Sequence, residues 1–319
     1  MEDLAARALE ADPEYRGLAA AFVGSGPARA PDFWLPEHGR TIYVPVPGAE
    51  IRVIHVQPER AYARRPVVLV PGWGTIPEGF REFYGPLHGK AEFWYIETRE
   101  KTSSRILDRK ADLSVGRAAL DIRAALDATG LAGQDFVLVG SCWGSAQILE
   151  GLIRGALDAP TLLLADPMHS LWFSKWILRW VSPWIPSAAA SFARPVLKRL
   201  ILGDMKETAQ RNRIFEFIDD ADVWKWKKSA EAAREFELFG RLGKVGREVF
   251  VLNGTGDKVH DQRNYPRIAA ELPAGRFLFL PVDESLRERL FGLAAMEFAR
   301  VGASDGLPPS LAGFERRVR

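Results

Sequence analysis

Short apolar runs alternate with longer amphipathic stretches along much of this chain. Val67-Val68-Leu69-Val70 is continuous and stops at Pro71-Gly72. Phe93 to Ile96, Phe136 to Val139, Thr161 to Ala165, Val249 to Leu252 and Phe277 to Leu280 repeat the pattern. Runs this short and this uniformly apolar fit strands buried on both faces of a parallel sheet. Leu113 to Thr129 predicts a helix closed by Gly130, and a second helical stretch follows Gly140. Segments 41–46 and 51–57, joined by Pro47-Gly48, predict a hairpin, and residues 3–24 predict one helix ended by Gly24-Ser25-Gly26-Pro27. Strands alternating with helices imply an α/β, doubly wound, mainly parallel sheet.

One segment does not alternate. Residues 168–246 carry helical patterns and no convincing strand, which predicts a helical cap inserted between two strands. The organisation expected is a lead-in at 1–39, a core at 40–167 and 247–303, the cap at 168–246, and a frayed tail at 304–319.

Composition narrows the chemistry. The 319 residues suit one large α/β domain with an insertion, and 47% are apolar, enough for a substantial core. Basic and acidic residues nearly cancel, 43 against 41, so nothing points to nucleic acid. A single cysteine excludes intramolecular disulfides and cysteine-rich metal sites, and no metal or cofactor is expected. The start, Met1-Glu2-Asp3-Leu4, lacks the basic-then-apolar pattern of a secretory signal, and no apolar run approaches the roughly 18 residues of a membrane span. The expected location is cytoplasmic.

That cysteine occupies a specific frame. Gly140-Ser141-Cys142-Trp143-Gly144 follows the run Phe136 to Val139 and precedes a helical stretch. A nucleophile on a sharp strand-to-helix turn needs small residues two positions away on each side, because neighbouring backbone crowds them. A helix N-terminus also favours thiolate. Ser141 and Ser145 lack glycine at both flanking positions. Cys142 is therefore expected to begin a helix and to face a pocket beneath the cap.

Together with Val67 to Thr75, this frame resembles the α/β-hydrolase superfamily over about residues 40–300, most of the cap excepted. The resemblance implies an oxyanion site from the backbone N–H groups of Trp143 and Trp73, with Pro71 where the family commonly has histidine. The turn Gly254-Thr255-Gly256-Asp257 looks like that of the family acid, which maps to Asp257; Asp166 is the alternative. The family places its catalytic histidine after the last strand. Here Phe277 to Leu280 runs into Pro281-Val282-Asp283-Glu284-Ser285, and no histidine follows. His260, three residues past Asp257, and His169, just after Asp166, are the candidate bases, and Asp283 or Glu284 could stand in the histidine's place. Cysteine in this frame resembles dienelactone hydrolases and polyhydroxyalkanoate synthases. A thiol, already partly ionised at neutral pH, depends less on a base than a hydroxyl does.

Trp172, Trp176, Trp180 and Trp184 recur every fourth residue, with Lys175 and Arg179 on another face. The stripe reads in three ways: packing of cap on core, an apolar wall of Trp172, Trp176 and Trp180 over Cys142 for an acyl chain, or an interfacial helix in peripheral contact with a membrane. Two functions stay open. One is acyl transfer by Cys142 on a hydrophobic ester or thioester; the other is a non-catalytic binding protein with a degenerate triad.

Overall fold

Each continuous apolar run becomes a strand of one sheet. The computed structural model describes residues 2–24, 30–171, 173–186, 194, 195, 198, 215–254 and 261–319. The strands are β1 (Arg40–Val46), β2 (Ala49–Val56), β3 (Val67–Val70), β4 (Phe93–Ile96), β5 (Arg105–Ile106), β6 (Val137–Ser141), β7 (Thr161–Ala165), β8 (Glu248–Asn253), β9 (Ala274–Phe279) and β10 (Glu315–Arg316). Their order is β1-β2-β4-β3-β6-β7-β8-β9-β10, with the short β5 paired beside β2. From β4 to β9 every pairing is parallel; β1–β2, β2–β4 and β9–β10 are antiparallel.

Period-two alternation sends each buried run into two cores. Val68, Val70, Leu138 and Leu164 meet Ile122 of helix α4 (Val115–Ala128) and Ile148 of α5 (Trp143–Ile153) on one face. Val67, Leu69, Val139 and Leu163 meet Phe83, Leu290 and Phe291 on the other. Ser114 caps α4 by accepting from the Arg117 N–H, and Gly130 follows at φ 73°.

Two expectations need correction. The helix predicted over 3–24 is two helices, α1 (Glu2–Ala8) and α2 (Pro13–Val23). Proline supplies no N–H, and its fixed φ suits a first turn, so the chain restarts there with Asp12 accepting from Tyr15. The tail is not frayed. Leu311 is fully buried, β10 pairs with β9, and Tyr15 donates to the Phe279 carbonyl at 2.6 Å beside the Phe314 ring. Pro309 opens the short helix Pro309–Ala312, which delivers those apolar residues to the sheet edge.

Between β7 and β8 the described residues form helical turns over Ile177–Val181 and Ser182–Trp184, then a helix α6 (Val223–Ala232), and no strand. Lys225 of α6 fastens this segment to the core. Its Nζ donates to the carbonyls of Lys101, Thr102 and Ser104 at 2.8, 3.0 and 2.6 Å. Among the described residues no helix is long and apolar enough to cross a membrane.

Candidate active site

The carboxyl ends of β3, β6 and β7 meet at Cys142. Its backbone is left-handed, φ 53°, and it stands directly before α5. Few non-glycine residues adopt φ above zero, and holding one there costs about 1–3 kcal/mol that surrounding structure must offset. The surroundings are specific. The Cys142 N–H donates to the Ala165 carbonyl at 2.8 Å, and the Cys142 carbonyl accepts from Ala146 and Met168. The flanking glycines are sterically required: a Cβ at Gly140 would lie 2.6 Å from Ser145 Cα, and one at Gly144 would lie 2.2 Å from the Val70 carbonyl oxygen. The cysteine side chain is half-buried. Trp143, the first residue of α5, has a backbone N–H with no carbonyl one turn earlier in the helix to receive it.

The loop after β3 packs on this corner. A Cβ at Gly72 would sit 3.2 Å from Cys142 Cβ. Trp73 stacks on Trp226 at 4.4 Å between ring centroids and donates its indole N–H to Ser229 at 2.9 Å. Gly74, at φ 67°, leaves room for the Trp226 ring, which a Cβ would strike at 2.1 Å.

Sequence reasoning missed Lys101. This lysine follows β4 and is 2% exposed. Its Nζ donates to the Gly72 carbonyl and lies 3.7 Å from Glu100. Burial pushes its ammonium below the ordinary 10.5, while Glu100, Glu97 and Cys142 pull the other way. Nothing local in the sequence marks it, because its burial arises only when the loops after β3 and β4 meet.

Asp166 also has a left-handed backbone, φ 45°, and is fully buried. Its Oδ1 accepts from Asn253 Nδ2 at 2.7 Å and its Oδ2 from Arg287 Nε at 2.5 Å. Arg287 opens the helix α8 (Arg287–Arg300) that follows β9, and Glu288 lies 3.0 Å from it. An arginine thus faces the buried acid from the stretch after the last strand. It cannot act as a base, being always protonated. The charged stretch Asp283 to Arg289 was the available signal, of which the sequence reading took Asp283 and Glu284 but not Arg287.

His169 Nδ1 lies 3.0 Å from Glu237, and its ring stacks on Phe239. Asp257, His260 and Trp172 lie outside the described residues. Asp283 is exposed and Glu284 partly buried.

An apolar cavity of about 320 Å³ adjoins the site. Trp73, Trp226, Phe173, Ile177, Leu178 and Ile218 line it, with Arg194 and Lys227 at its border. Cys142 is not part of the lining; Trp73, from the loop that packs on the Cys142 corner, is. The wall expected from Trp176 and Trp180 is corrected: both are exposed, at 64% and 59%, while Phe173 and Leu178 face the cavity and Ile177 sits between cavity and surface. The four-residue repeat did not reveal which side faces in, because both sides of the segment are apolar.

A mainly parallel sheet with a left-handed, glycine-flanked corner at the end of its central strand is the architecture of hydrolase-type α/β proteins. The sequence profile of the Alpha/beta hydrolase family matches residues 67–285, and the chain belongs to that family. No curated protein sequence matches it. Similar solved structures include a hydrolase from Pseudomonas aeruginosa PA01, with 16% identity, TM-score 0.62, and coverage of 78% of this chain and 92% of that one. A thermophilic esterase from Thermogutta terrifontis gives 17%, 0.61, 76% and 90%. The enol-lactonase from Burkholderia xenovorans LB400 gives 16%, 0.58, 75% and 90%. At these identities the likeness is one of fold.

Proposed function

We propose that the protein is an acyl-transfer enzyme, hydrolase or acyltransferase, with Cys142 as nucleophile and a hydrophobic ester or thioester as substrate. The observation that carries this reading is the left-handed backbone of Cys142 between two glycines that tolerate no Cβ. Strain of that kind persists at functional corners. The sulfur attacks the carbonyl carbon, a C–S bond forms, and the carbonyl electrons move onto oxygen. The N–H groups of Trp143 and Trp73 receive that oxyanion. Its collapse breaks the bond to the alkoxide or thiolate, which leaves with a proton. Water or an alcohol then resolves the acyl-enzyme and regenerates the thiol. The apolar cavity beyond Trp73 suits the acyl chain.

The test is intact-mass analysis after incubation with p-nitrophenyl esters and acyl-CoA thioesters of graded chain length. A single acyl adduct, absent in Cys142→Ala, is expected, and release of p-nitrophenol should fall by at least about a hundredfold in that variant. Undiminished turnover in Cys142→Ala would sink the reading.

One observation favours a second reading, a binding protein with a retired triad: Arg287 on Asp166. On that reading no adduct forms with any ester, and apolar acids still bind the cavity.

A further inference from the structure

The sequence from 167 to 203 contains Lys175, Arg179, Arg194, Lys198 and Arg199 and not one Asp or Glu. In a chain with 41 acidic residues, an acid-free stretch of this length is a marked charge asymmetry. The structure turns three tryptophans of that stretch outward. Trp176, Trp180 and Trp184 are 64%, 59% and 82% exposed, and Ile177 and Ile185 beside them are 49% and 39% exposed. Leu178, only 7% exposed, anchors the same turns inward against the cavity. Scattered exposed apolar residues are ordinary; three tryptophans and two isoleucines within ten positions form a patch.

From this patch we infer that the outer side of residues 174–185 docks on an anionic lipid surface. Tryptophan suits the headgroup boundary, where its ring is buried and its N–H stays in a polar layer. Lys175 and Arg179 are exposed on the same segment and complement anionic headgroups. Arg179 lies over the Trp180 ring, 5.7 Å from its centroid, so cation and aromatic present themselves together. The acidic group facing it, Glu235, is 3.8 Å away with both side chains mostly exposed, a pair too weak to occupy the arginine. The short helical turns suit a segment lying in the interface rather than crossing it. A second copy docked through this face would set Lys175 and Arg179 against their own counterparts, with no acid in residues 174–185 to pair them. The docking is independent of the chemistry at Cys142.

The experiment is co-sedimentation of the full chain with vesicles of phosphatidylcholine alone and of phosphatidylcholine with phosphatidylglycerol. Binding is expected to the mixed vesicles, weaker to the neutral ones, and decreasing with salt. The triple variant Trp176→Ala, Trp180→Ala, Trp184→Ala should lose about tenfold or more in partitioning. The double variant Lys175→Glu, Arg179→Glu should lose about tenfold on mixed vesicles only. All five side chains are exposed, and an unchanged melting temperature confirms that each variant is folded. The proposal fails if the wild-type chain stays in the supernatant with both vesicle types, or if the tryptophan variant partitions as well as wild type. It also fails if the wild type is a dimer that ignores vesicles and that variant is a monomer.

Discussion

Residue 142 carries two demands that pull apart. Its backbone conformation suits glycine, while its chemistry requires a sulfur. Cys142→Gly should therefore be more stable than Cys142→Ala by about 1–3 kcal/mol, since both lose the thiol and only one keeps the strain. Urea denaturation of the two variants measures the difference, and equal midpoints would show that the corner is relaxed. Gly144 has the opposite sensitivity. Gly144→Ala places a Cβ against the Val70 carbonyl and should displace the start of α5, seen as loss of soluble folded protein. This much was legible in the sequence, because steric demands of a tight turn act between residues a few positions apart. Lys101 and Arg287 were not legible. Their importance comes from being buried against Gly72 and Asp166, partners 29 and 121 residues away.

Among the elements, α6 is attached to the loop after β4 by the Lys225 ammonium and by the Asp222 N–H, which donates to the Thr102 hydroxyl at 3.1 Å. Lys225→Met leaves three carbonyls without their donor, those of Lys101 and Ser104 in buried bonds, where an unmet group costs on the order of 1–3 kcal/mol. Hydrogen exchange over 101–104 and 223–232 should quicken together in that variant, while exchange in β6 stays as it was. The chain's last helix offers a second test. Leu311→Ala should destabilise by about 2–5 kcal/mol, the cost of a cavity in a core, whereas a frayed end would tolerate it. The sequence underrated this end. Pro308-Pro309 and paired arginines look like loop, and only the sheet edge at β9 supplies the surface that orders them.

For the molecule as a whole, the topology followed from the run-and-helix alternation, and the sidedness of the inserted segment did not. Stability at high pH is another whole-molecule property. Burial raises the Tyr84 hydroxyl from 10.0 to about 12. The folded state therefore holds that proton more tightly than the unfolded chain. The resulting stabilisation is complete below pH 10 and is lost as pH rises from 10 through about 12. Removing the hydroxyl should flatten that loss: between those limits Tyr84→Phe should fall less steeply in urea stability than wild type, by up to about 3 kcal/mol. Lys101 works in the reverse direction. Its burial penalty is present below its lowered folded value and is relieved as pH rises toward 10.5.

Backbone bonds fix the main chain at the corner where β6 and β7 end: Cys142 N–H donates to the Ala165 carbonyl and Met168 N–H to the Cys142 carbonyl, with glycines where side chains would collide. None of these contacts involves the sulfur. The corner is therefore a socket set by its main chain, which can present a hydroxyl in place of the thiol without redesign of the scaffold. Cys142→Ser should fold to the same structure with the same melting temperature, leaving reactivity as the one trait that changes.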